Sequence, residues 1–281
     1  MTDICIVFDR LRSEEKMLKK EAELLGHHVM MVDAKSASFD TCSVRGEYGD
    51  VVLERCVSYF RGLHFTACLE SAGVKVVNSF EVAARCGNKM FMTLALQGKK
   101  VPTPRTYFAF SKDAAMGVAE EAGYPLVIKP VIGSWGRGVM PVRDRDAMDA
   151  VIESREITDT PHDRIYYLQE LVRRPPRDIR VVTVGGEPLA AMYRRSSGGF
   201  KTNVALGAEP EPCKITSEMG ELASRASEAA GGGILGIDMM EDESRGLVVT
   251  EVNNTVEFRG ISRVSERNIP REIARYAAGM C

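Results

Sequence analysis

The first eighty residues alternate short apolar runs with amphipathic stretches, and this limits the possible folds more than any other feature of the chain. Residues 4–8 read ICIVF, residues 13–25 carry apolar side chains at helical spacing and stop at Gly26, and residues 29–32 return to an apolar run. A second unit repeats the pattern, with a strand at 51–53, a helix over roughly 58–72 closed by Gly73, and a strand at 74–77. Strands separated by helices cannot pair as hairpins, so the pattern predicts a parallel sheet covered by helices.

Further along the pattern changes. Residues 88–97 read as a short amphipathic helix that the VPTP of 101–104 cannot continue, because proline lacks the amide donor and restricts its neighbour. A β-α-β-loop-β unit follows to about 165, with the helix SKDAAMGVAEEAG and the strand YPLVIKP. A β-rich part comes after it, with turns at Gly185-Gly186 and 242–246 and helices over 217–230 and 268–279. We expect an α/β (α+β) protein divided into 1–87, 88–168 and 169–281, with a ligand cleft between units because 281 residues are too many for one small core.

Composition narrows the function. The net charge of −2 gives no support to general nucleic-acid binding, and no apolar run approaches the roughly 18–20 residues that span a bilayer. No basic and apolar leader precedes ICIVF, so a soluble, cytoplasmic protein is expected. The seven cysteines, at 5, 42, 56, 68, 86, 213 and 281, include no CxxC and no zinc-finger spacing, and read as reduced, mostly buried thiols. His27-His28 falls where a helix hands over to a strand, and a metal role for it is disfavoured. Arg173, Arg174, Arg177, Arg180, Arg194, Arg195 and Lys201 crowd one stretch, which reads either as a local basic face or as solvated strand edges.

Three segments carry chemistry. A strand ending in Lys129 runs into Gly133, Ser134, Trp135, Gly136, Arg137 and Gly138, where glycines let backbone amides approach an anion and the lysine meets the same charge. This run matches neither a Walker A loop nor GxGxxG, and alone it would be an ordinary turn. The second segment is GIDMM, EDESRG, LVVTEVN. If 242–246 is the turn, Asp238 lies opposite Thr250 or Glu251, while Glu251 and Asn253 project from one face. Asp238 and Glu251 sit inside apolar strands, where a carboxylate is costly unless paired or metal-bound, although a polar sheet face would also hold them. Three such oxygen donors suit magnesium. The third segment, IYYLQELV at 165–172, could offer backbone groups to an adenine edge and Glu170 to a ribose, or be a plain buried strand.

In order, Lys89, KPVIGSWGRGV, QELV, DIRVVTVGG, TNVALGA, GIDMM and EVNNTVEFRG resemble the ATP-grasp superfamily from about residue 85 to 260, and within it the RimK and LysX group. The resemblance implies an ATP-grasp fold behind a pre-ATP-grasp domain, and a ligase that joins a carboxylate to an amine through an acyl phosphate. It implies that Lys89 and Lys129 hold ATP phosphates, that residues 133–138 cover them, and that Gln169, Glu170, Leu171 and Val172 line the adenine site, with Arg180 and Asn203 also at the nucleotide. Asp238, Glu251 and Asn253 would hold two magnesium ions. Arg194 and Lys129 would act at the transferred phosphate, and Arg194 with Asn254, Thr255, Val256, Glu257, Phe258 and Arg259 would face the substrate.

The ending EVNNTVEF is similar to LysX-type enzymes, which attach α-aminoadipate, or glutamate in arginine-directed relatives, to the C-terminal glutamate of a small acidic carrier of the LysW kind. The partners so implied are that carrier and an amino acid, in a homodimer or homotetramer, with no nucleic acid or membrane. The basic stretch around Arg173 and Arg174 is the expected carrier dock. Two other readings remain open: a RimK-like glutamate ligase acting on a ribosomal protein or a cofactor, and a nucleotide-binding regulator without turnover.

Overall fold

The computed structural model describes residues 1–40, 48–157, 160–196 and 208–281. Cys42, Lys201, Asn203 and residues 202–207 of TNVALGA lie outside the described residues.

The expected parallel sheet is present. It comprises β1 (Asp3–Phe8), β2 (His28–Asp33), β3 (Val51–Glu54) and β4 (Val76–Val77), ordered β2-β1-β3-β4, with α1 (Ser13–Leu24) and α2 (Tyr59–Ser71) as crossovers. Ile4 and Ile6 enter one core and Cys5 and Val7 another, so β1 is buried on both faces and reads as an unbroken apolar run. The helix expected at 88–97 is split from a preceding one that the sequence pattern did not reveal. Asn88 ends α3 (Phe80–Gly87) and caps α4 (Lys89–Gly98) by accepting from the amides of Met90 and Phe91.

A second sheet, antiparallel throughout, has the order β5-β8-β6-β7. Its strands are β5 (Thr106–Ala109), β6 (Leu126–Lys129), β7 (Met140–Val142) and β8 (Tyr166–Glu170), covered by α5 (Lys112–Ala122) and α6 (Arg145–Glu156). The division expected at 168/169 therefore falls inside β8.

The third sheet is antiparallel with the order β11-β10-β9-β12-β13. It is built from β9 (Arg177–Val184), β10 (Glu187–Arg195), β11 (Glu209–Cys213), β12 (Ile234–Asp242) and β13 (Gly246–Asn253). One face packs Ile179, Val181, Leu235, Ile237 and Met239 against α7 (Ser217–Ala230) and α4. The opposite face has two halves. Val182, Met192 and Ile234 pack on Ile4, Ile6 and α8 (Ile269–Ala278), which completes the core of the first unit by lying on α1. Two to four residues further along the same strands, the same face carries Arg180, Arg194 and Asp238. Because side chains alternate in a strand, these charges are turned toward a cleft rather than into either core.

Candidate active site

The β12–β13 hairpin sets the geometry. Its turn is held by the Asp242 carboxylate, which accepts from the amides of Ser244 at 2.9 Å and Arg245 at 3.1 Å. From this turn the register pairs Asp238 with Glu251, one of the two expected alternatives. Thr250 is the extra residue of a bulge, and its hydroxyl donates to the Asp238 carbonyl at 3.3 Å. The bulge lets Val249 and Val252, three apart, enter one core while Glu251 and Asn253 face the cleft with Asp238. The Asn253 amide donates to Asp238 Oδ2 at 3.5 Å, so three oxygen-bearing side chains converge.

Arginines from the neighbouring strands neutralise this hairpin. Arg180 stands opposite Asp238 on β9 and grips both carboxylate oxygens with the Nε–Nη2 edge of its guanidinium, Nη2 donating to Oδ2 at 2.8 Å. Gly236 makes room for it, since a Cβ there would lie 2.8 Å from Arg180 Nη1. Arg194, from β10, forks onto Asp178 at 2.6 and 2.7 Å and also reaches Asp238 Oδ1 at 3.1 Å. Burial alone would push the Asp238 carboxyl up, but Arg180 and Arg194 outweigh it and hold it below the ordinary carboxylate range. Burial alone would likewise lower Arg194, and Asp238 and Asp178 raise it instead.

The phosphate-type residues gather across the cleft. Lys129 ends β6 with its ammonium donating to Gln169 Oε1 at 2.6 Å and standing 5.7 Å from the centre of the Tyr167 ring. Desolvation lowers it to about 8, with the neighbouring charge of Lys89 adding to the effect and Glu251 and Asp238 opposing it. Lys89, at the first turn of α4, donates to the Gly133 carbonyl at 2.7 Å and pairs with Glu251 at 3.1 Å. Positive φ at Gly136 and Gly138, both 67°, folds the glycine loop back over Pro130. Trp135 is also left-handed, with its indole donating to Glu257 at 3.2 Å and Arg137 5.0 Å from its ring centre.

Two adjoining cavities share these residues. The narrower is lined by Lys89, Lys129, the glycine loop, Leu171, Val172 and Met240, and its lining also includes the carboxylates of Asp238 and Glu251. Glu170 lies at its rim, but its carboxylate is already taken by the Arg105 amide at 2.7 Å and by Arg245 at 2.6 Å. The larger, about 980 Å³, runs from Arg194, Glu251 and Asn253 to the C-terminal edge of the parallel sheet. Asn254, Thr255, Glu257 and Arg259 line it as expected. Val256 and Phe258 do not: both are fully buried in the core against Ile4 and Ile6, because the segment after β13 alternates like a strand and plugs the first unit.

Most described members of the basic stretch are already committed, although Arg173 is exposed and Lys201 lies outside the described residues. Arg177 is paired with Glu241, Arg180 and Arg194 with Asp238, and Arg195 with Glu211, while Arg174 turns inward onto the Pro175 and Arg177 carbonyls. Further exposed cations, Arg10, Arg259 and Arg263, stand at the large cavity. Sequence reading also missed Asp178, whose position two residues before Arg180 on one strand was the available signal. It missed Asn78, which holds Ile234 through both backbone groups, at 2.7 and 2.8 Å, and the Asn254 carbonyl at 2.7 Å. Nothing in the local pattern pointed to Glu54 on the cavity floor. Its carboxylate lies where a Cβ on Gly62 would come within 2.7 Å, and burial raises it above the usual range.

Among the described residues no three His, Cys, Asp or Glu side chains form a self-contained metal cluster. Two carboxylates and an amide, Asp238, Glu251 and Asn253, nevertheless fit a hard cation that arrives with phosphate oxygens and water. Among the same residues no helix is long and apolar enough to cross a membrane.

Comparison with known proteins agrees with this geometry. A RimK-like ATP-grasp domain is matched over residues 86–277 and a LysX preATP-grasp domain over residues 4–85. The alpha-aminoadipate–LysW ligase LysX of Sulfurisphaera tokodaii is 38% identical over 96% of this chain and 96% of its own. The glutamate–LysW ligase ArgX of Sulfolobus acidocaldarius is 32% identical over 97% of each. In structure, a RimK domain ATP-grasp protein from Sphaerobacter thermophilus superposes with a TM-score of 0.80 at 24% identity, over 98% of this chain and 99% of that one. A fold of three sheets around one cleft, with those two domain types in tandem, places the chain in the RimK-like ATP-grasp family of ligases, behind a LysX-type preATP-grasp domain.

Proposed function

We propose that this ATP-grasp ligase joins the amino group of α-aminoadipate or glutamate to the C-terminal glutamate γ-carboxylate of a small acidic carrier protein of the LysW kind. Similarity to relatives that bear both substrate names supports the pair of amino acids, and the continuous path from the narrow slot to the large cavity carries the reading. ATP enters the slot, with its adenine against Leu171, Val172 and Met240 and its phosphates toward Lys89, Lys129 and the glycine loop. The two acceptors meet in the larger space beyond Arg194.

A carboxylate is a poor acyl donor, so it first takes the γ-phosphoryl group of ATP, releasing ADP; the amine then displaces phosphate and leaves the amide. Lys129, Lys89 and Arg194 supply positive charge where the phosphoryl oxygens pass. Asp238, Glu251 and Asn253 would hold magnesium, two ions on this reading, which adds charge neutralisation and orients phosphate oxygens. The glycine loop, latched by Trp135 on Glu257, excludes water that would hydrolyse the activated acid. Arg10, Arg259 and Arg263 offer the carrier's acidic tail its charge complement.

ADP release measured over a panel of amino acids, with a carrier peptide ending in glutamate, tests the reading. ADP released over many turnovers only when a dicarboxylic amino acid and the peptide are both present supports it. Release that needs neither would refute it.

A further inference from the structure

Lys129 has an unusual partner for a buried cation. Its ammonium donates to the neutral carbonyl of Gln169 at 2.6 Å, and no carboxylate lies within ion-pairing distance of it among the described residues. A neutral acceptor orients the ammonium without cancelling its charge, which stays available to an incoming anion. The charged groups facing it are Glu251 of β13, Asp238 of β12 and Lys89 of α4, all acting through space.

The orientation of Gln169 is itself fixed. Its Nε2 donates to Thr106 Oγ1 and to the Tyr167 hydroxyl, both at 3.0 Å. Thr106 uses its own proton on the Pro104 carbonyl at 2.8 Å, so it can only accept from Gln169. The amide therefore cannot flip, and Oε1 must face Lys129. Besides accepting from Gln169, the Tyr167 hydroxyl shares a hydrogen bond with Thr93 Oγ1 at 2.8 Å, in a contact where both residues are buried. Thr93 lies on α4, one turn beyond Lys89. One hydrogen-bonded chain thus runs from Lys129 on β6, through Gln169 and Tyr167 on β8, to the helix that presents Lys89.

We infer that Gln169, Tyr167 and Thr93 are positioning residues that set the two phosphate-facing lysines as one unit, so that neither lysine is placed independently of the other. Gln169, whose amide is committed to protein partners at both ends, acts on the nucleotide through Lys129. The inference rests on the reading of the slot as an ATP site. It adds that a hydroxyl on the far side of Tyr167, out of the slot, governs how ATP is used.

The test is steady-state kinetics and ATP calorimetry on the full-length protein with Thr93→Val, Thr93→Ser, Tyr167→Phe and the double variant Thr93→Val/Tyr167→Phe. Misplacing a reacting group by an ångström costs up to about a hundredfold, so Thr93→Val and Tyr167→Phe should each lower kcat/KM for ATP by about tenfold to a hundredfold. The double variant should lose no more than the worse single one, because both break the same chain. Thr93→Ser, which restores the hydroxyl, should recover wild-type values, and the KM for the amino acid should stay unchanged in all four. ATP kinetics like wild type in both single variants would overturn the inference, as would fully additive losses or a failure of serine to rescue. If the wild-type protein binds no ATP, the ATP-site reading itself fails, an outcome visible before any variant is made.

Discussion

The Lys89 ammonium lies 3.1 Å from the Glu251 carboxylate, so a side chain suited to phosphate and one suited to a metal ion neutralise each other across the junction of α4 and β13. Arg194 of β10 and Asp238 of β12, on either side of β9, repeat the arrangement 3.1 Å apart. On the proposed function, a magnesium–nucleotide complex would offer each member of these pairs a new partner.

Replacing Glu251 with Gln keeps the size of the side chain but removes its negative charge. We expect Glu251→Gln to lower kcat by more than about a hundredfold, the scale of losing one group that stabilises developing charge. Thermal melting should stay near wild type, because the residue is one-third exposed and outside both cores. Wild-type ADP release by a folded Glu251→Gln protein would remove Glu251 from the metal site.

Asp178 has a structural task that Glu251 lacks. It accepts both donors of the buried Arg194, and Asp178→Ala would leave that guanidinium with Asp238 alone. Breaking a buried pair from one side costs roughly 3–5 kcal/mol. Urea unfolding should show a midpoint lowered accordingly with an unchanged slope. A midpoint like wild type would mean that solvent already screens the pair.

Much of this was legible in the sequence where one element decides the outcome. The turn at 242–246 pins the hairpin, so spacing narrowed the partner of Asp238 to Thr250 or Glu251; the Thr250 bulge that decides between them was not legible, because a bulge is set by what both faces must bury. The parallel sheet was legible because helix and strand periods differ. What pairs across distant segments was not. Arg180 and Arg194 look like members of a basic run until β9 is placed between β10 and β12, where both find Asp238. Val256 and Phe258 look like loop residues beside a metal site until the first sheet needs a plug. Tyr167 reads as an ordinary strand aromatic, and only the tertiary contact with Thr93 gives its hydroxyl a task.

The cleft should respond to pH through Lys129. Its folded value of about 8 is below the ordinary 10.5, so between those values the unfolded chain binds more protons than the folded one. This group alone therefore makes the empty protein more stable as pH rises from 8 toward 10.5. ATP affinity runs the other way, falling as pH rises through about 8 because the phosphates need the charged form. Calorimetric ATP binding across this range should show the decline in wild type and not in Lys129→Met. An identical decline in both would assign it to another group.

Carrier binding should depend on Arg259 and Arg263 rather than on Arg173. Exposed charges are screened over about 8 Å at physiological salt, so the carrier's KM should rise steeply with ionic strength while that of the amino acid changes little. The double variant Arg259→Ala/Arg263→Ala should raise the carrier's KM and flatten its salt dependence, and Arg173→Ala should do neither. The reverse pattern would return the dock to the 173–177 stretch.

The most direct test of acyl-phosphate chemistry replaces the amino acid with hydroxylamine, in the presence of ATP, magnesium and the glutamate-ended carrier. The account predicts a carrier hydroxamate formed in step with equal amounts of ADP and phosphate, and its disappearance in Glu251→Gln. Release of AMP and pyrophosphate in place of ADP would contradict the account.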